Sequence, residues 1–111
     1  MLHEMNLHDD PFVFIKMGYK DIEMRLNDEK RKLIKVNDQI EFTNNITNEI
    51  ITVKVKGIYR FSNFKELYSS FNKVNLGYKE EELADPSDML KYYSNDKIDQ
   101  YGVLALEIEI M

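Results

Sequence analysis

The stretch Gly18-Tyr19-Lys20-Asp21-Ile22-Glu23-Met24-Arg25-Leu26 decides how this chain folds. Its apolar residues recur at every second position, as Ile22, Met24 and Leu26. That period is typical of a β-strand with one buried face. Glu23 and Arg25 then share the opposite face, where charged groups are stable only if they are solvated, paired or bound to a ligand.

Lys20 and Asp21 extend this pattern at the start of the strand. Asp21 lies on the charged face of the strand. Lys20 lies on the same face as the apolar residues, and the long aliphatic stem of this lysine can lie along the mouth of a cleft. The alternative is a solvated strand face with a surface ion pair, which contributes only about 0–1 kcal/mol. The residues themselves leave a binding cleft and a solvated face both open.

Composition limits the class of protein. With 111 residues and 43% hydrophobic content, we expect one domain over residues 1–111 with a single core. The absence of cysteine excludes disulfides, zinc–thiolate sites and thiol nucleophiles. We expect no membrane span, because no apolar run approaches about 20 residues. We expect a cytoplasmic protein, because the N-terminus has no signal-peptide pattern. We also expect no metal and no cofactor, since His3 and His8 lack ligand spacing and no nucleotide fingerprint is present.

Charge is distributed unevenly along the chain. The net charge is −5, yet residues 16–60 carry +3 and the remainder −8. Such asymmetry is typical of a basic patch on an acidic body, although solvated lysines explain it equally well. The candidates for a nucleic-acid surface are Lys16, Lys30, Arg31, Lys35, Lys54, Lys56 and Arg60.

The rest of the chain alternates short strand and helix signals. The predicted strands are Gln39–Phe42, Ile50–Tyr59 with a bend at Gly57, and Val103–Ile110 with its even-numbered residues on one face. The predicted helices are residues 11–17, a helix that Ser62 caps, one that begins at Asp85-Pro86 with Met89, Leu90 and Tyr93 inward, and a last helix between Ser94 and Gly102. Curling strands with inserted helices predict an α+β fold, a small mixed β-barrel of about five to six strands.

The order of these signals resembles the ASCH domain family, which is named for homology to activating signal cointegrator and is related to PUA domains. The matching motifs are Gly18-x-Lys20-x-Ile22-Glu23-x-Arg25, then Val36-Asn37-Asp38-x-Ile40, and finally Tyr101-Gly102-Val103. Asn37 stands where the family usually has glycine, and asparagine also tolerates a left-handed turn.

The resemblance implies a PUA-like barrel with a cleft beside the first helix, lined by Lys20, Glu23 and Arg25. Members are mostly regarded as RNA- or nucleotide-binding modules. One branch looks like amidohydrolases of acetylated cytidine, with a lysine, a threonine three residues later and a distant glutamate. Glu23 occupies that threonine position here, so we expect a binding module rather than an enzyme.

Three functions follow as hypotheses. In a monomeric module for RNA or a nucleotide-like ligand, Lys20 and Arg25 receive a phosphate or base edge and Glu23 accepts from a base amino group. The basic residues then contact the nucleic-acid backbone. In a small amidohydrolase acting on acylated cytidine nucleosides, Lys20 and Glu23 are the catalytic candidates, with an acid from the second half, such as Glu66 or Glu82, as a remote third member. In a protein-interaction module for transcription or translation regulation, the acidic run 80–82 faces a basic partner.

Overall fold

The computed structural model describes all residues from Met1 to Met111. One sheet contains five strands: β1 (Leu2–Leu7), β2 (Ile22–Leu26), β3 (Gln39–Asn44), β4 (Ile50–Phe61) and β5 (Val103–Ile110). The connections hold three α-helices, α1 (Asp9–Lys16), α2 (Phe64–Ser70) and α3 (Asn95–Tyr101), and two 3-10 helices, Arg31–Leu33 and Pro86–Lys91. This curled half-barrel with short helices confirms the predicted α+β class and the predicted strand number.

The strand order β1-β3-β4-β5-β2 makes β1 and β2 the two edges of the sheet. β1 pairs with β3 in parallel, and the other three pairings are antiparallel. The long strand β4 pairs with β3 along its first half and with β5 along most of its length, and its register with β5 shifts between Val55 and Gly57. The bend predicted at Gly57 is confirmed. A Cβ atom there would lie only 2.9 Å from both Glu107 Oε1 and the Tyr59 hydroxyl.

Two hydrophobic clusters cover opposite faces of β5. Leu104, Leu106 and Ile108 belong to a cluster with α1, β1, β3 and β4, while Val103 and Ala105 belong to one with β2, α2 and α3. Because both faces are covered there, the first half of the strand, Val103–Leu106, is a continuous apolar run, whereas residues 107–110 alternate. Ile110 departs from the prediction, since it lies at the end of the strand and is 44% exposed.

The helices follow the sequence signals with small corrections. The helix predicted at residues 11–17 is present as α1, which already begins at Asp9 and buries Phe12 and Ile15. Asn63, rather than Ser62, caps α2 by accepting a hydrogen bond from the Glu66 N–H. The segment after Asp85 is a 3-10 helix, and Leu90 on it is 46% exposed rather than inward. No helix combines the length and apolar character that crossing a bilayer requires.

Asp38 joins the start of β1 to the turn before β3. Its carboxylate accepts from His3 Nε2 at 2.8 Å and from the Lys35 N–H at 3.0 Å. Asn37 adopts the left-handed conformation expected of it, with φ of 77°. The bond to His3, followed by that to the Lys35 backbone, lowers the pKa of Asp38 from its ordinary 3.8 to about 2.

We predict that Asp38 stabilises the fold above about pH 4 and that this contribution disappears as pH falls towards 2. The sign follows from the lowered pKa, because the folded state then holds the ionised form more strongly than the unfolded state does. Urea unfolding of wild type and Asp38→Asn between pH 2 and 6 should show a difference in unfolding free energy that shrinks with acidity. Asp99→Asn, at an exposed residue of α3, is the control. A difference independent of pH would contradict the prediction.

Candidate functional site

A cavity of about 490 Å³ opens beside the two edge strands of the sheet. Its walls come from the end of β1 and the start of α1, from β2 with the turn before it, and from later segments around residues 76–79 and 88–93. Small-molecule sites typically enclose about 300–1,000 Å³, so a nucleoside-sized ligand fits this volume. We call this cavity the edge pocket.

Glu23 lies in the wall of the edge pocket with two cations. Its Oε1 atom is 3.1 Å from Lys20 Nζ, and its Oε2 atom accepts from Arg25 Nη2 at 2.8 Å and Nε at 3.0 Å. The side chains of Lys20, Glu23 and Arg25 are 7%, 4% and 12% exposed. The structure therefore brings together the three residues that the sequence singled out, and we call them the ion triad.

Local structure explains the position of Lys20. Its backbone N–H bonds to Phe14 O at 3.1 Å, just after Gly18 ends α1 with φ of +83°. Gly77, on a facing turn, packs against the lysine stem, because a Cβ atom at Gly77 would lie 3.1 Å from Lys20 Cδ. That turn is joined to β2 by the N–H groups of residues 21 and 22, which both donate to Asn75 O. Lys20 is thus confined along its stem as well as at its ammonium group.

Arg25 also connects the two edges of the half-barrel. Besides the bonds to Glu23, its Nη2 donates to Asn6 O on β1 at 2.9 Å. β1 and β2 do not pair through their backbones, so this side chain crosses the opening between them. The planar guanidinium suits this role because its donors point in several fixed directions.

Burial and ion pairing act in opposite directions on the ionisation of Glu23 and Arg25. Burial opposes the ionisation of Glu23, but the ion pairs with Lys20 and Arg25 outweigh it, so the pKa of Glu23 lies below its ordinary value. Burial likewise disfavours the charged guanidinium and lowers the pKa of Arg25. The ion pair with Glu23 outweighs this effect, so the pKa of Arg25 lies above its ordinary value. With Glu23 ionised, the triad carries a net charge of +1.

A second polar network lines the edge pocket and was not found from the sequence. The Tyr78 hydroxyl donates to Asp88 Oδ2 at 2.8 Å and lies 2.8 Å from the Tyr68 hydroxyl. Burial, together with the bonds to Tyr68 and Asp88, raises the pKa of Tyr78 well above its usual range. The helical spacing of Tyr68 with Phe64 and Leu67 predicts only core packing for this residue. No spacing signal joins three residues that lie about ten positions apart on a helix, a turn and a 3-10 helix.

Comparison with known proteins identifies the family. A sequence profile of the ASCH domain matches residues 5–111. The chain belongs to the ASCH domain family. Comparison with functionally curated proteins gave no match.

Solved structures agree with this assignment. The crystal structure of hypothetical protein PH0355 has a TM-score of 0.84 and 35% identity, with 100% of each chain covered. The solution structure of PF0455 from Pyrococcus furiosus has a TM-score of 0.77 and 32% identity, covering 100% of this chain and 98% of that one. The ASCH protein from Zymomonas mobilis shares the fold, with a TM-score of 0.70, 14% identity and coverage of 97% and 66%.

The seven basic residues proposed as a nucleic-acid surface lie outside the edge pocket of this ASCH domain. Lys16, Arg31 and Lys56 form ion pairs with Glu49, Asp28 and Glu109. Arg60 Nε donates to Asn27 Oδ1 at 3.3 Å, whereas the side chains of Lys30, Lys35 and Lys54 form no ion pair. The structure therefore does not bring these side chains together with the ion triad.

We predict that Glu23→Gln lowers the unfolding free energy of the ASCH domain by about 3–5 kcal/mol, because it leaves two buried cations without their carboxylate. The measurement is equilibrium urea unfolding at neutral pH. Glu109→Gln is the matched control, because Glu109 pairs with Lys56 at 3.4 Å on the surface and is 64% exposed. Such a pair contributes about 0–1 kcal/mol. Equal losses in the two variants would show that the triad is not a buried charge cluster.

We also predict that Gly77→Ala is more destabilising than Gly18→Ala. Both glycines have positive φ, +107° and +83°, so each alanine is strained by about 1–2 kcal/mol. Only at Gly77 must the Lys20 stem also move, since the space beside Gly18 is open. Urea unfolding of both variants measures the difference. Equal unfolding free energies would mean that this turn does not confine Lys20.

Proposed function

We propose that this ASCH domain binds an RNA base or a nucleotide-like ligand in the edge pocket. Lys20 and Arg25 contact the ligand, and Glu23 holds them in place. The observation that carries this proposal is the ion triad itself, a nearly dry cluster with a net charge of +1 whose donors are only partly used. A cluster of this kind attracts a ligand that offers hydrogen-bond acceptors or negative charge.

The number of unused donors supports the proposal. An ammonium group has three N–H donors, and Lys20 directs one to Glu23. Arg25 Nε and Nη2 are occupied by Glu23 and Asn6, and the guanidinium also interacts with the Tyr93 side chain. The free donors of the triad are therefore mainly those of Lys20. Donors of this type match base carbonyl oxygens, ring nitrogens and phosphate oxygens. Because the pocket wall is largely dry, such bonds are stronger here than in bulk water.

Glu23 takes a holding role in this proposal. Oε1 faces Lys20 and also accepts from the Met24 N–H at 3.3 Å, and Oε2 accepts twice from Arg25. Contact with a base amino group would require one of these bonds to break. A carboxylate that orients two cations is therefore the better supported assignment.

Aromatic side chains add a surface on which a base can stack. Phe14, Tyr92 and Tyr93 all line the edge pocket, and Tyr92 is 52% exposed. Stacking of a base on an aromatic ring contributes about 1–3 kcal/mol and tolerates different bases. For an RNA strand, we propose that the flanking phosphates lie against the basic residues outside the pocket, with Lys30, Lys35 and Lys54 as the unpaired members.

Two alternatives stay predictions. In an amidohydrolase, Glu23 would need a free lone pair to act as a base, and its lowered pKa and occupied oxygens make it a weak one. A third catalytic acid was expected at Glu66 or Glu82. Glu66 bonds to the Ser62 N–H outside the pocket, whereas Glu82 is at the pocket and accepts from the Lys79 N–H. A protein-interaction surface on residues 80–82 has no specific support beyond their exposure.

We predict that Lys20→Met weakens binding of nucleotides and short single-stranded RNA by about 10- to 100-fold, the loss expected for a hydrogen bond to a charged group. Glu23 keeps Arg25 as its partner in this variant, so the fold survives. Isothermal titration with mononucleotides and fluorescence anisotropy with labelled RNA measure the effect at low salt.

Lys65→Met is the control for this experiment, because Lys65 is exposed on α2, does not line the pocket and is not among the proposed nucleic-acid contacts. Circular dichroism of each variant verifies the fold. Equal affinities of wild type and Lys20→Met would refute the proposed site. A similar loss in Lys65→Met would move the binding surface away from the edge pocket.

A further inference from the structure

The hydrogen-bond network of Tyr68, Tyr78 and Asp88 has a fixed direction. The Tyr78 hydroxyl has one proton and faces two groups that can only accept, Asp88 Oδ2 at 2.8 Å and Asp85 O at 3.4 Å, so the proton goes to the nearer carboxylate. Tyr78 then has no proton for Tyr68, and the 2.8 Å contact between the two hydroxyls requires Tyr68 to be the donor. Both hydroxyl protons are therefore used inside the network.

What the network still offers to a ligand consists of lone pairs. These are on the Tyr68 and Tyr78 oxygens and on Asp88 Oδ1, which makes no hydrogen bond in the structure. The raised pKa of Tyr78 keeps its hydroxyl protonated, so that it can act as the donor to Asp88. We call these three residues the acceptor wall.

The ion triad offers hydrogen-bond donors, whereas the acceptor wall offers lone pairs. Glu23 is saturated, and the groups without partners are mainly N–H donors of Lys20. Residues of the triad and of the acceptor wall line the same cavity. One part of the edge pocket thus donates and another part accepts, and a ligand must satisfy both, because an unpaired polar group in a dry site is costly.

We infer that the acceptor wall determines specificity in the edge pocket, and that the ligand is a heterocycle with both a carbonyl acceptor and an amino donor. This inference rests on the proposed function, since it assumes that the ligand occupies the edge pocket. It assigns Tyr68, Tyr78 and Asp88 to the recognition of the donor group. Rings that offer only acceptors at that position leave the wall unsatisfied and bind more weakly.

Matched nucleosides test the inference. Cytidine is compared with its analogue that lacks the 4-amino group, and guanosine is compared with inosine, which lacks the 2-amino group. Within at least one pair, wild type should bind the amino-bearing member about tenfold more tightly, as expected for one well-paired hydrogen bond. Isothermal titration at fixed salt gives both dissociation constants.

Two variants change the polarity of the wall without altering its shape much. In Tyr78→Phe, the Tyr68 hydroxyl loses its acceptor and becomes a free donor, so the preference for the amino group should fall to less than about threefold. In Asp88→Asn, a donor faces the pocket whichever way the amide turns. Either its NH₂ group points to the ligand, or it donates to Tyr78 and releases the Tyr68 proton. The preference should then vanish or invert.

Tyr59→Phe is the control, because it removes a tyrosine hydroxyl that donates to the Glu107 carboxylate at 3.0 Å, and Tyr59 does not line the pocket. It should keep the wild-type preference. Wild-type binding that is equal within both pairs would overturn the inference and leave the proposed function standing, and so would a preference unchanged in Tyr78→Phe and Asp88→Asn. Failure of wild type to bind any of the nucleosides would overturn the inference, whereas the proposed function is decided by the Lys20→Met titrations with nucleotides and RNA.

Discussion

The carboxylate of Glu23 is the group on which the open side of the half-barrel depends. It is almost fully buried, and a buried charge is stable only when partners compensate for its lost hydration. Lys20 and Arg25 supply that compensation from the same segment of chain, one from the turn before β2 and one from β2 itself. Because one anion meets two cations, compensation is incomplete, and a net positive charge with unused donors remains at the pocket.

Arg25 of the ion triad also bridges the opening between β1 and β2. β1 and β2 are edge strands that do not pair with each other, and the Arg25 guanidinium reaches Asn6 O across the opening. Edges of this kind expose unpaired polar groups, which proteins usually cover or use. In this ASCH domain the two unpaired strand edges form walls of the edge pocket. The candidate binding site therefore lies where the sheet leaves backbone polar groups unpaired.

The site could be predicted from sequence only in part. The period-two pattern around β2 placed Glu23 and Arg25 on one face, and Lys20 joined them through a turn that the glycine signal anticipated. The acceptor wall could not be found in this way, since Tyr68, Tyr78 and Asp88 meet only when three segments of the long connection between β4 and β5 fold against one another. The basic residues are the opposite case, because a pattern in the sequence was not matched by one feature of the structure. Their clustering along the chain suggested one patch, but three of them form ion pairs with Glu49, Asp28 and Glu109.

The α+β class, the positions of most strands and helices, and membership of the ASCH domain family could all be predicted from the residues alone. These depend on local chemistry, namely apolar periodicity, caps, and glycine or asparagine at left-handed positions such as Gly18 and Asn37. The burial of particular charges, the occupancy of particular lone pairs and the exposure of particular tyrosines to the cavity became visible in the folded chain. Those properties arise from contacts between residues far apart in the chain, and the free energy of an ion or a hydroxyl depends on the groups around it.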